Sequence, residues 1–265
     1  MRLGSLAAVA LMLLSSSTFA QEAIYTRSAT QPAAGVLAWR QQLHYMDYTQ
    51  GMKELSERTM LSYGITGNLA VEAQLPVYSM THHWYRTASG AGDLLLLAKG
   101  RIWQRHDSAI DTARIGVFGG AAFGVGPTEL TGGGVDPILG AVYMQVAGRH
   151  GINVAAQYQL TTAGSIQPLM PGAGKADLFR TDVAYLWRFA PEEYTSEEDA
   201  AWYLTAEANS YLETNGNYEL LISPGLLYEG TKFALELGVQ LPAVQHVSNR
   251  PAQGFGITLG FRLLF

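Results

Sequence analysis

The chain has 265 residues and no cysteine, which excludes disulfide cross-links, and its net charge of −5 argues against a nucleic-acid partner. Only 15% of residues are charged while 48% are hydrophobic; a water-soluble domain carries about 25% charge, so part of the surface is read as facing something other than water. Beyond the first twenty residues no apolar run reaches the roughly 18 positions a transmembrane helix needs.

The N-terminus reads as an export signal. Arg2 supplies the positive start, Leu6 to Leu14 the short apolar core, and Thr18-Phe19-Ala20 the small residues before a cut at Ala20/Gln21. Residues 1–20 are therefore assigned to a signal peptide, 21–35 to a periplasmic lead-in and 36–265 to the folded domain.

From residue 36 onward the pattern is an alternation of apolar and polar positions, the period of a strand with two unlike faces. About twelve such segments follow one another. In the first, Leu37, Trp39, Leu43 and Tyr45 oppose Arg40, Gln42 and His44. The second, about 55–66, sets Leu61, Tyr63 and Ile65 against Arg58 and Ser62, and the turn pair Gly67-Asn68 leads to the third, about 69–78, with Glu72 and Gln74 on its polar phase. The fourth, 93–104, carries Lys99 and Arg101. The fifth, 112–124, is Gly-rich with Arg114. The sixth and seventh, 137–148 and 152–161, carry Gln145, Asn153, Gln157 and Gln159. The eighth, 177–189, carries Arg180, Asp182 and Arg188. The ninth to eleventh, 201–212, 218–228 and 232–241, carry Glu207, Glu219 and Glu236.

The twelfth segment is the clearest. In Gly254 to Phe265 one phase is Phe255, Ile257, Leu259, Phe261, Leu263 and Phe265, and the other is small or polar except for Leu264, with Arg262 its one charge. A strand closing on an aromatic residue resembles the last strand of a bacterial outer-membrane barrel, where Phe265 is the expected handle for the barrel-assembly machinery.

The links sort into long (79–92, 125–136, 162–176, 242–253) and short (67–68, 149–151, 229–231), alternating as expected for outer loops and periplasmic turns. The acidic link Ala190 to Ala200 breaks this rule. Because no water in a bilayer satisfies an open strand edge, such a sheet must close on itself. The expected fold is thus all-β: a transmembrane up-and-down antiparallel barrel of the outer-membrane type, lying in the bacterial outer membrane among lipid and lipopolysaccharide. Trp39, Trp187, Phe189, Trp202, Tyr228, Phe233 and Phe265 are expected in one aromatic belt and Tyr45, Tyr78, Tyr211 and Tyr218 in the other.

The expected lumen charges are Arg40, Arg58, Glu72, Lys99, Arg101, Arg114, Arg180, Asp182, Glu207, Glu219, Glu236 and Arg262. Basic groups dominate early staves and acidic ones late staves. Two readings follow: a transverse field that tunes selectivity, or, with more weight, an ion-paired network bracing the wall. About twelve strands imply a narrow lumen, and the Gly-rich loop 124–136 is the segment expected to fold inward.

Three phrases, YGITGNLAVEAQLPV at 63–77, GAGDLLLLAKGRI at 90–102 and LISPGLLYEGTKFALELGVQLPAV at 221–244, resemble a family of outer-membrane channels linked to the meta-cleavage pathway of phenol degradation. The resemblance implies a channel for small solutes, aromatic or hydrophobic compounds among them, with no catalytic residues. A different class is raised by His246-Val247-Ser248-Asn249, which resembles the His-x-Ser-Asn core of outer-membrane phospholipases and lipid A deacylases, with His246 as base and Ser248 as nucleophile. Against it, the pair continues the lumen phase of Glu236 and Gln240. A third reading is a structural barrel without permeation. His82-His83 and the carboxylates show no metal-ligand spacing, and no cofactor is expected.

Overall fold

The computed structural model describes residues 22–82, 87–108, 110–127, 130–165, 168–194 and 200–265; the export signal lies outside them. The strands are β1 (Leu37–Tyr48), β2 (Met52–Thr66), β3 (Leu69–His82), β4 (Ala88–Ala91), β5 (Asp93–His106), β6 (Thr112–Gly124), β7 (Val135–Ala147), β8 (His150–Gln159), β9 (Leu178–Ala190), β10 (Ala201–Glu213), β11 (Tyr218–Glu229), β12 (Phe233–His246) and β13 (Gln253–Leu264). The short β4 and the long β5 both pair with β3 and are separated by Gly92, so they form one interrupted stave and the wall has twelve. Every stave pairs antiparallel with its neighbours in the chain, and the ring closes where β1 meets β13, from Ala38 opposite Leu264 to Tyr48 opposite Gln253. Closure leaves no row of unpaired N–H and C=O groups facing an apolar solvent.

The burial is inverted relative to a water-soluble domain. Leu43, Leu259 and Leu237 lie side by side on β1, β13 and β12 and are 48, 53 and 43% exposed. Their chain neighbours Gln42, Thr258 and Glu236 point inward and are buried. The apolar phase thus forms the outside of the wall and the polar phase its core, which makes this a transmembrane antiparallel barrel of the outer-membrane type.

The rim holding Leu37 and Leu264, here the terminal rim, carries the short turns at 67–68, 148–149 and 230–232. The opposite loop rim carries the long segments 125–134 and 160–177. At the terminal rim the expected belt is present: Trp39 packs edge-on to Phe261 at 5.2 Å, Trp202 to Tyr228 at 4.9 Å, and Tyr228 lies 5.3 Å from Phe233. At the loop rim half of it needs correction. Tyr78 and Tyr211 share the phase of Glu72 and Glu207 and point into the barrel. The outward aromatics there include Tyr158 and its cross-strand partner Phe179, with Phe255.

Two further expectations are corrected. The lead-in at 21–35 does not lie below the wall: its described part enters the lumen, held by hydrogen bonds to inward-facing side chains. The His246 assignment also changes. The β11–β12 register slips between Leu220 and Leu221, which oppose Val244 and Pro242, leaving Ala243 as an extra residue. A bulge of one residue exchanges the two faces, so Gln245 now pairs with buried Glu219 while His246 leaves the lumen phase and is exposed.

The acidic link 191–200 has a visible structural role in its described part. Tyr194 turns back under the wall, where its hydroxyl lies 2.9 Å from that of buried Tyr203 and its ring lies 4.0 Å from the Arg188 guanidinium. Its Glu192 reaches Arg149 at 3.1 Å across the surface.

Leu259 sits midway along β13 on the outward phase. Leu259→Arg is expected to lower the stability of the barrel in lipid vesicles by about 2–4 kcal/mol, the cost of a cation near the bilayer midplane, measured by urea unfolding followed through tryptophan fluorescence; Leu259→Ala should cost less.

Candidate functional site

The lumen is the candidate site, and it is crossed by residues 22–31. Glu207 stands midway along β10, and its carboxylate accepts the backbone N–H groups of Ile24 (2.8 Å), Tyr25 (3.1 Å) and Thr26 (2.7 Å) as well as the Thr26 hydroxyl at 2.7 Å. Three successive N–H groups converging on one anion form the kind of concave nest that binds phosphates elsewhere; here the anion belongs to the wall. The carbonyls of the same segment go to cations. Arg40 Nη2 donates to Ile24 O at 2.6 Å, Arg262 Nη2 to Glu22 O at 2.9 Å, Arg180 Nη2 to Tyr25 O at 2.9 Å and Lys99 Nζ to Thr30 O at 2.6 Å. A segment outside any strand ladder must find partners for its backbone, and the inward charges supply them.

Ion pairs complete the attachment. Arg27 meets Glu72 at 2.6 Å and Glu22 meets Arg262 at 3.1 Å. Glu236 is a hub within the wall: it accepts from Arg40 at 2.8 Å, Gln42 at 2.8 Å and Arg262. The apolar anchors are small. Ala23 packs among Leu186, Tyr203 and Leu227, and Ala29 packs against Met144.

Two glycines make room for this arrangement. Gly225 and Gly238 are cross-strand partners on the inward phase of β11 and β12. A Cβ on Gly225 would lie 2.5 Å from Ile24 Cδ1, and one on Gly238 would lie 2.6 Å from Tyr25 Oη. Any larger residue at either position collides with the inserted segment.

The segment divides the lumen into two chambers. One, of about 90 Å³, lies toward the terminal rim between Glu22, Lys99 and Arg262. The other, of about 230 Å³, lies toward the loop rim between Tyr25, Arg58, Tyr78 and Arg180. Above it, Leu130 packs with Tyr78 and Met80, and Leu169 and Met170 from the 160–177 loop join them. The 124–136 loop therefore does contribute Leu130 to the roof, but the lumen itself is filled by the N-terminal segment.

The remaining expected lumen residues separate into groups. Asp182 pairs with Arg180 at 2.8 Å and accepts from Asn209. Glu219 belongs to a buried set at the loop rim, where Arg250 bridges it (2.7 Å) to Glu213 (3.1 Å) and so ties the 247–252 loop to the β10–β11 turn. Arg101 is at the terminal rim, donating to Asn68 Oδ1 at 2.9 Å in the β2–β3 turn. Arg114 lies in β6 with its Nε buried and without a hydrogen-bond partner among the described residues, and Arg58 has the same feature on β2. Thus Arg40, Glu72, Lys99, Arg180, Glu207 and Arg262 reach residues 22–31 directly, Glu236 acts on them through Arg40 and Arg262, and Arg101 and Glu219 serve the rims.

His246 and Ser248 are not brought together as a base and nucleophile. Ser248 Oγ donates to Asn217 Oδ1 at 3.4 Å, and no hydrogen bond joins it to His246 among the described residues. His83 lies outside the described residues, and among those described no group of three His, Cys, Asp or Glu side chains is placed to hold a metal.

Glu22, Tyr25, Thr26 and Arg27 escaped the sequence reading because they precede the alternating pattern. A signal was nonetheless present: Gly225 and Gly238 interrupt the polar phase at paired positions, as a wall making room for another chain segment would require.

A closed twelve-stave wall with an apolar exterior and a charged interior crossed by its own N-terminal segment defines the class, an outer-membrane-type β-barrel. Solved structures with the same fold include an outer membrane channel from Pseudomonas putida F1, at 16% identity and a TM-score of 0.56 over 91% of this chain and 98% of that one. They also include the NanC porin, at 11% identity and a TM-score of 0.55 over 85% of this chain and 98% of that one. No protein-family profile and no curated protein matches the chain.

Glu207→Gln removes the charge that organises three N–H groups, and Gly238→Val places a side chain where Tyr25 lies. In both variants hydrogen exchange at the amides of residues 24–26 is expected to accelerate at least about tenfold, since the loss of about 1.4 kcal/mol of local stability suffices for that, while strand amides keep their protection. Mass-spectrometric exchange on the folded barrel checks both.

Proposed function

We propose that this protein is a channel of the bacterial outer membrane that passes small solutes, aromatic or hydrophobic compounds among them, through a narrow charged lumen, and that residues 22–31 close the lumen until they are displaced. The observation that carries this reading is the nature of the block. The segment is held by hydrogen bonds, two ion pairs and a few apolar contacts, of which only Ile24 buries a large side chain. Each hydrogen bond to a charged wall group contributes about 1.5–3 kcal/mol net, water entering the lumen can take its place, and the wall charges so uncovered suit a hydrated pore.

In this reading the chain is exported with its signal removed at Ala20/Gln21, the apolar wall meets lipid and lipopolysaccharide, and the terminal rim faces the periplasm, as short turns do in barrels of this type. The wall would stay intact as the segment moves, because its ladder is complete without it. A barrel serving only as a scaffold has no need of two chambers separated by a detachable segment.

Planar-bilayer recording tests the proposal. The intact protein is expected to show low or intermittent conductance, and a variant lacking residues 22–31 a conductance several times larger. Liposome swelling with aromatic acids, sugars and alkanes should then rank the permeants. Absence of conductance from both proteins would overturn the channel and favour a structural barrel.

A further inference from the structure

We propose that the chamber on the loop-rim side of the inserted segment is a binding site for an amphiphilic organic anion, a carboxylate carried on an apolar or aromatic body, with Arg58 as its anchor. The inference rests on the channel reading for its role but on the chamber alone for its chemistry.

Among the described residues four arginines line this chamber, and three are committed. Arg27 is paired with Glu72, Arg40 with Glu236 and Arg180 with Asp182, at 2.6, 2.8 and 2.8 Å. Arg58 is different. It stands between Gln42 and Pro76 in the β1–β2 and β2–β3 registers, has no carboxylate within ion-pair distance among the described residues, and its Nε is buried without a hydrogen-bond partner. Removing a guanidinium N–H from water without a new acceptor is costly. A bound carboxylate supplies that acceptor in the bidentate geometry a guanidinium favours. Asp93, the one carboxylate on the chamber wall among the described residues, is turned toward the loop side, where it accepts the Gly132 N–H at 3.2 Å.

The rest of the lining selects the body of the ligand. Met60, Leu95, Ile138, Leu130 and Met170 present apolar surface to the same space. Methionine side chains adapt to irregular apolar shapes, and the chamber, at about 230 Å³, is larger than the roughly 150 Å³ that suffices to enclose benzene. A small hydrated inorganic anion would leave this surface unused. A neutral hydrophobe would leave Arg58 without an acceptor. A carboxylate on an apolar body satisfies both.

The test uses the full mature protein in lipid nanodiscs, with empty nanodiscs subtracted, and isothermal titration with 4-phenylbutyrate, its neutral amide and chloride. Phenylbutyrate is expected to bind at least tenfold more tightly than the amide, with chloride showing no saturable binding. Arg58→Gln should weaken phenylbutyrate at least tenfold and leave the amide unchanged, and Arg58→Lys should fall between. Arg105→Gln, at an exposed terminal-rim ion pair with Asp107, should bind as the parent does. Heat-modifiable gel migration verifies that each variant is folded. Equal binding of acid and amide, no binding of either, or an unchanged Arg58→Gln would overturn the site. Bilayer conductance on the same preparation separates the two readings: binding without conductance removes the channel and keeps the site, while conductance without binding does the reverse.

Discussion

The structure depends on one requirement: a barrel whose outside is apolar must put its charges inside, and a narrow inside must satisfy them. Twelve staves enclose too little space for each inward carboxylate and guanidinium to be hydrated as in bulk water. Glu207 shows the consequence most directly. It is buried and forms no ion pair among the described residues, yet four donors from residues 24–26 surround its oxygens. Arg40, Arg262, Arg180 and Lys99 have the complementary need and are met by carbonyls of the same segment. The inserted chain therefore functions as a second layer of polar core, packed against a wall whose inward apolar residues form only separate small clusters.

Wall and insert are held by different physics, which gives them different mobility. The wall is a continuous antiparallel ladder in a medium offering no alternative hydrogen-bond partners, so opening any stave is expensive. The insert is held by side chains facing a space that water can enter, so its detachment exchanges one set of hydrogen bonds for another. Its apolar contacts run through Ala23, Ile24 and Ala29, of which only Ile24 buries a large side chain. Local stability in such a molecule is graded, and the low end lies where the proposed permeation path runs. The Glu213–Arg250–Glu219 set works oppositely: fully buried at the loop rim, it pins an outer loop to a neighbouring turn.

Much of this was legible in the sequence. The period of two appears in Leu235-Glu236-Leu237 and again in Ile257-Thr258-Leu259, and it placed nearly every stave within a few residues. It also identified Arg40, Glu72, Lys99, Glu207 and Glu236 as inward. The errors have identifiable causes. Tyr78 and Tyr211 were assigned outward because aromatics suit membrane interfaces, although their own phase pointed inward and won. His246 was assigned inward because the phase was carried past Ala243, where a single extra residue reverses it. Interfacial preference is a statistical tendency, whereas the pleat is geometry.

What the sequence by itself determined is the wall: alternation within each strand is a local property, readable over ten residues, and closure follows once both faces are specified. What only the tertiary structure decided is the content of the lumen. The contact between Ile24 and Glu207 joins residues 183 positions apart, and nothing in the composition of residues 22–31 distinguishes a segment lying outside a barrel from one threading it. That choice is made by the donors and acceptors which the closed ring brings around a common space, and they become neighbours only after the ring has closed.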